Sequence, residues 1–268
     1  MKAIFLLFQI IVLTSCSLFT KHESTIIRIK GSDTMLLLNQ KLAENFMVEH
    51  PHISIHIEGG GSADGIKSLL NSEIDICASS RTLDPNELKL LAEKFNSVGM
   101  SFLIAKDALS IYVNENNPIK NISLNKLAKI FTGEISNWKE LGGNNAEMIV
   151  ISRPPTSGTY GYFKKHVLLD QEFCENILTI PTTKQIVEYV KKHENAIGYG
   201  GVGYGDESIE ISVNNHKPTV ESVNYPLERY LRYYTTNKIT GITQEYIDWV
   251  VSEKGQKIIE ESGYFPLY

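Results

Sequence analysis

Apolar residues along this chain change their spacing repeatedly, and each change marks an element. Ile26-Ile27-Arg28-Ile29-Lys30 predicts a strand, Gly31-Ser32-Asp33-Thr34 a turn, and Leu38, Leu42 and Phe46 one face of a helix from Met35 to Glu49 that Pro51 stops. The cycle repeats. Ile53-Ser54-Ile55-His56-Ile57 predicts a second strand, Gly59-Gly60-Gly61-Ser62 a second turn, and Ile66, Leu69 and Leu70 a second helix. A third strand, Ile74-Asp75-Ile76-Cys77-Ala78, ends at Ser79-Ser80-Arg81. Short strand–turn–helix cycles predict an α/β fold with a mainly parallel sheet, whose ligands sit beyond the carboxyl ends of the strands. All three turns are therefore expected on one rim, rich in Gly and Ser.

The extended segment from Phe102 to Val113 leads to a second set of elements: Ser123 to Phe131, Met148 to Ile151, a helix after Thr159, and Ile197-Gly198-Tyr199. Tyr225 to Tyr234 reads as another extended crossing. Beyond it a helical pattern from Thr243 to Glu261, with Ile247, Val250, Val251, Ile258 and Ile259, is expected to return to the first set. Two crossings predict two lobes and a hinge, with residues 25–105 and 230–268 in lobe I and residues 106–229 in lobe II. No internal repeat or low-complexity tract is visible.

Residues 1–16 read as an export signal. Lys2 precedes an apolar run interrupted by Gln9, too short for the roughly 20 apolar residues of a membrane span. Leu13-Thr14-Ser15-Cys16 looks like a lipobox, in which Cys16 becomes the lipidated first residue of an anchored protein; the alternative is a chance Cys after a hydrophobic leader. Residues 17–24 would then be a tether. The whole chain carries a formal charge of −5, and loss of Lys2 with the leader makes it −6. No basic run with interleaved aromatics supplies the footprint of a nucleic-acid binder. Cys77 and Cys174 are read as buried free thiols, although export leaves a disulfide between them open.

The chemistry concentrates at Arg153-Pro154-Pro155-Thr156-Ser157-Gly158-Thr159. A guanidinium grips two oxygens of a tetrahedral oxyanion at once, and the first N–H groups of a helix are unpartnered and partially positive. Such a local, donor-rich site suits an anion even in an acidic protein. A solvated Arg beside an ordinary N-cap Ser is the plainer alternative.

In order, Gly31-Ser32-Asp33-Thr34, Gly60-Gly61-Ser62, Ala78-Ser79-Ser80-Arg81 and Arg153-x-x-x-Ser157-Gly158-Thr159 resemble the phosphate-binding proteins of bacterial Pst-type ABC importers. Leu127 to Gly133 with Asn137-Trp138, Ala196 to Tyr199, Tyr225-Pro226-Leu227 with Arg229, and Gly263 to Leu267 agree, so that the likeness spans about residues 25–268. It implies a two-lobed, type II periplasmic-binding-protein-like fold that encloses inorganic phosphate between its lobes and delivers it to an ABC permease. Implied further are a monomer, no cofactor and no metal. Carried over by motif, Thr34 and the Met35 amide donate from the first turn, Ser62 from the second, and Arg153, Ser157, Gly158 and Thr159 from the second lobe. Two departures stand out. Some family members place an Asp where this chain has Ser80, and its carboxylate accepts the proton of phosphate and rejects sulfate; Asp33 or Asp64 is the available substitute. Pro154-Pro155 replaces an acidic residue that orients the Arg, leaving Arg153 without an identified partner and Arg81 open between ligand contact and interlobe ion pair.

Rival classes lack their signatures. Gly198 to Gly203 fits the letters of a dinucleotide fingerprint, but Tyr204-Gly205-Asp206-Glu207 follows instead of a helix. The stretch Gly60 to Ser68 misses P-loop spacing by one residue. Ser62 and Ser157 could serve a hydrolase as nucleophiles, yet no Gly-x-Ser-x-Gly elbow occurs, and His166 and His193 are read as surface residues of helices. A surface protein using Tyr230, Tyr233 and Tyr234 to hold a macromolecular partner is the remaining alternative.

Overall fold

The computed structural model describes residues 25–219, 224–237 and 239–268, so the leader, Cys16 and the tether lie outside the described residues. Among the described residues ten strands form one mixed sheet: β1 (Thr25–Gly31), β2 (Ile53–Glu58), β3 (Ile76–Ser79), β4 (Met100–Val113), β5 (Asn121–Ile122), β6 (Ile149–Ser152), β7 (Leu178–Thr179), β8 (Ala196–Gly201), β9 (Glu210–Val213) and β10 (Glu228–Thr235). Their order is β2-β1-β3-β10-β4-β8-β6-β7, with β9 on β4 and β5 on β9. The helices are α1 (Leu36–Glu49), α2 (Ser62–Leu70), α3 (Pro85–Phe95), α4 (Leu124–Thr132), α5 (Gly158–His166), α6 (Thr183–Lys192), α7 (Gly241–Val251) and α8 (Glu253–Glu261).

Alternation explains β1, where Ile27 and Ile29 are buried while Ile26 and Arg28 are exposed. In α1 the buried Leu38, Leu42 and Phe46 recur every fourth residue and turn one stripe to the core. Pro85 at the start of α3 follows a reciprocal Asp84–Glu87 capping box, a start signal that hydrophobic spacing alone does not bring out. The single helix expected from Thr243 to Glu261 is two helices, because Ser252 takes extended backbone (φ −71°, ψ 168°) between them.

β1 pairs in parallel with β2 and β3, and β6 with β8 and β7, as expected of βα cycles. The middle of the sheet adds antiparallel pairs to these parallel ones. β10 runs antiparallel to both β3 and β4, and β4 antiparallel to β8, since each crossing strand returns against the direction of the strands it joins. β4 has 14 residues, about 45 Å of extended chain, enough to run through both lobes. One core gathers Ile27, Leu38, Phe46 and Ile104 with Tyr246, Ile247 and Ile259 from the C-terminal helices; another gathers Leu127, Phe131, Trp138, Phe163, Ile197 and Tyr199. The boundaries drawn at 105/106 and 229/230 fall inside β4 and β10, which belong to both.

Candidate anion-binding site

The turns after the three parallel strands meet on one rim and bind one another. Ser32 N–H donates to the Ala78 carbonyl (2.8 Å), Gly61 N–H to the Gly31 carbonyl (2.8 Å), and Ser80 N–H to Ser62 Oγ (3.2 Å). Thr34 lies in a single 3₁₀ turn, Asp33–Met35, that feeds α1. The Met35 amide, expected to face a ligand, donates instead to the Ser32 carbonyl at 3.0 Å and closes that turn. Ser62 is the first residue of α2, and Ser80 is wholly buried with an Oγ that has no hydrogen-bond partner.

From the other lobe, β6 ends at Ser152 and delivers Arg153. Ser157 caps α5, its Oγ accepting from Thr159 N–H at 3.2 Å and Tyr160 N–H at 3.4 Å, which leaves its own proton free to donate. Gly158 sits where the lobes touch: a Cβ there would stand 2.2 Å from Ser62 Oγ and 2.7 Å from Ser80 Oγ, so only glycine lets these three turns close on one another. Ala63 N–H also crosses to the Thr156 carbonyl (3.1 Å). At the centre Thr34 Oγ1 and Thr159 Oγ1, one from each lobe, lie 2.8 Å apart.

Arg153 is 1% exposed, and its partners are now visible. Nε donates to the Pro181 carbonyl (3.0 Å), Nη1 to Thr183 Oγ1 (2.8 Å), and Nη2 lies 3.3 Å from Asp33 Oδ2. Burial lowers the affinity of this guanidinium for its proton, and Asp33 opposes the shift. Asp33 Oδ2 also accepts from Thr183 N–H (3.1 Å), and its carbonyl accepts from the Tyr204 hydroxyl (2.7 Å). Asp33 is thus the acidic partner of Arg153 that the residue pattern leaves unidentified. Asp64 does not enter the cleft; it is half-buried beside Gly60 in an outer hollow with Lys30, Glu58 and Lys67. Arg81 forms a two-pronged bond with Glu87 of its own lobe (2.6 and 2.7 Å), which raises its pKa, so neither of the two roles held open for it is its contact here.

The remaining sequence features find plain explanations. Cys77 is buried and Cys174 half-buried, and both are free thiols; burial raises the pKa of each. The run Gly198 to Gly203 passes into a 3₁₀ turn rather than a helix. Its glycines make room: a Cβ on Gly200 would meet Thr183 Cγ2 at 2.2 Å, and one on Gly201 would meet Thr34 Cγ2 at 2.6 Å. His166 ends α5 in an exposed position, whereas His193 is half-buried one residue beyond α6, bonded to the Tyr189 carbonyl (2.8 Å). Among the described residues no group of His, Cys, Asp and Glu could hold a metal ion, and no helix is long and apolar enough to cross a membrane.

Hydroxyls from both lobes meet beside turns that carry a buried Arg, an arrangement suited to an anion, and comparison with known proteins narrows the family. Residues 20–254 match the PBP superfamily domain. The phosphate-binding protein PstS of Bacillus subtilis is 32% identical over 249 residues, covering 89% of this chain and 80% of that protein. This chain belongs to the PstS family of the PBP superfamily. Its relative in Borreliella burgdorferi is 30% identical and matches 98% of both chains. Among solved structures, a protein from Clostridium perfringens assigned as a phosphate ABC transporter substrate-binding protein, with bound phosphate, superposes with a TM-score of 0.84 at 30% identity, covering 91% of this chain and 100% of that one. A phosphate transport receptor from Vibrio cholerae gives a TM-score of 0.74 at 29% identity, with 89% and 99% covered. PstS family members are substrate-binding proteins, not enzymes.

Residue patterns miss four residues in and around this site in the present chain. They offer Asp33 only as a substitute acceptor, and they assign no role to Thr183 or to the buried pair Asp107–Arg229. A signal for the last pair exists: Arg229 alternates in phase with the buried Leu231 and Tyr233, where a charge is out of place unless partnered.

Proposed function

We propose that this protein captures inorganic phosphate between its lobes and passes it to a Pst-type ABC permease. The observation that carries the reading is the meeting of Thr34 and Thr159 from opposite lobes, 2.8 Å apart, next to the Arg153–Asp33 bridge. In this reading Thr34, Ser62, Ser80, Ser157 and Thr159 supply hydroxyls, Gly158 an N–H and Arg153 the guanidinium; the first turn contributes its Thr34 hydroxyl rather than the Met35 amide. The two buried arginines are matched by Asp33 and Asp107, so attraction for the anion comes chiefly from converging N–H and O–H dipoles.

Binding works through closure. Each charge-assisted hydrogen bond contributes roughly 1.5–3 kcal/mol, and donors split between two lobes reach one anion together only when the lobes close. Phosphate therefore binds the closed form better, and that difference shifts the population. Lipidation at Cys16, with residues 17–24 as tether, would hold a monomer on the outer face of a bacterial membrane, where a permease can receive the closed form.

The test is isothermal titration of the purified, anion-stripped protein with phosphate and then sulfate. One-to-one phosphate binding that sulfate competes for weakly is the expected result. A folded, anion-free sample that takes up no phosphate would overturn the proposal.

A further inference from the structure

A second guanidinium stands behind the central hydroxyl pair. Asp107 of β4 and Arg229 of β10 are register partners across the two crossing strands, Asp107 fully buried and Arg229 6% exposed. Arg229 Nε donates to Asp107 Oδ2 at 2.7 Å, and Nη2 lies 2.7 Å from the same oxygen; Asp107 Oδ1 accepts from Val202 N–H at 3.1 Å. These contacts alone would account for a cross-strand ion pair. The third nitrogen leaves the pair: Nη1 donates to Thr159 Oγ1 on α5 at 3.0 Å. The ring of Tyr162 covers the guanidinium, its centroid 5.4 Å away, and is itself held by a bond from its hydroxyl to the Glu228 carbonyl (2.7 Å).

The direction of that bond to Thr159 is fixed by chemistry. A guanidinium has no lone pair to offer and can only donate, so Thr159 Oγ1 accepts. The proton of Thr159 must then point elsewhere, and the neighbour in reach is Thr34 Oγ1, at the place where the lobes meet. We infer that Arg229, held by Asp107, is a positioning residue of the anion site that fixes Thr159 as a hydroxyl donating into the interlobe cleft. The inference rests on the phosphate reading above and adds to it a residue that acts on the anion through another.

A double-mutant cycle read by phosphate titration tests it. The full chain is compared with Arg229→Gln, Thr159→Val and both together. Arg229→Gln is expected to weaken phosphate binding about tenfold, the scale of one oriented hydrogen bond, and to add nothing in the Thr159→Val background. In a Thr159→Ser background, which keeps the hydroxyl, the loss caused by Arg229→Gln should return. Because Arg229→Gln strands a buried carboxylate, Asp107→Asn/Arg229→Gln takes its place in the cycle if circular dichroism shows the single variant unfolded. Equal weakening in the parent and Thr159→Val backgrounds, or no weakening in either, would overturn the inference while leaving phosphate capture intact. A parent protein that binds no phosphate would overturn both.

Discussion

Arg229–Asp107 and Arg153–Asp33 are the same pair of side chains in two different mechanical settings. The first joins facing residues of adjacent strands, at 2.7 Å, with its carboxylate wholly inside. Burial pushes the Asp107 carboxyl up and Arg229 pulls it back. The second joins the turn after β1 to the residue after β6, from opposite lobes, at 3.3 Å, and its guanidinium is shared with the Pro181 carbonyl and Thr183 hydroxyl. A pair within one sheet is expected to persist as the lobes move, whereas a pair across the cleft is expected to form only on closing. One is a strut and the other a latch, and what decides it is whether its two ends share an element.

Breaking the strut should cost most. Asp107→Ala leaves Arg229 as an unpaired buried charge and is expected to remove about 3–5 kcal/mol of stability, read as a lower thermal midpoint without ligand. Replacing both partners, Asp107→Leu with Arg229→Met, should recover much of that loss. Breaking the latch should act chiefly on binding, and by more than the loss of about tenfold expected of Arg229→Gln. If Arg153 grips the anion with two charge-assisted bonds, as proposed, Arg153→Ala should lower phosphate affinity by roughly a hundredfold or more. Its ligand-free midpoint should drop less than that of Asp107→Ala, because opening lets water reach Asp33. Equal losses of midpoint in the two variants would erase the distinction.

How much of this was legible depends on how local the cause is. The alternation in β1, the stripe of α1 and the Gly–Ser turns are fixed by neighbours within a few residues, and their positions on one rim follow from parallel strands. The break at Ser252 and the antiparallel middle of the sheet depend on what the chain packs against, which no window of sequence contains. At the site, the hydroxyls and Arg153 stand in recognisable turns, whereas the Arg153–Asp33 contact joins turns from the two lobes. The Met35 amide is the converse case: a motif offers it to the ligand, and its bond in this structure is a local one to the Ser32 carbonyl.

The strut side of the molecule holds a second carboxylate that sharpens the contrast by pH. Burial pushes the Glu210 carboxyl on β9 up to about 7, with Asp206, Asp107 and Glu207 adding to the rise and the Ser110 hydroxyl opposing it. Below about pH 4.5 the group is protonated folded or unfolded. Between there and about 7 the folded state keeps a proton that the unfolded state releases, so stability falls as pH rises through this window and levels off above it. Glu210→Gln should remove that fall, narrowing the difference in stability between pH 5 and pH 8 by roughly 2–3 kcal/mol. Thermal unfolding at the two pH values checks it. An unchanged difference would mean that Glu210 is solvated well enough to ionise normally.

The smallest expected effect concerns the latch side and selectivity. Ser80 Oγ is fully buried and unpartnered, and it approaches the position a Gly158 side chain would take, where the two lobes meet. A hydroxyl there could accept the proton of a bound phosphate without bringing a charge, whereas a carboxylate would both accept that proton and repel sulfate, which has none to give. Ser80→Asp should therefore cut the competition by sulfate several-fold at most, with phosphate still bound. Competition titrations that are the same for the Ser80→Asp variant and its parent would place the proton acceptor elsewhere. Asp33 would then be the candidate, because its carboxylate already reaches the cleft from the turn that carries Thr34.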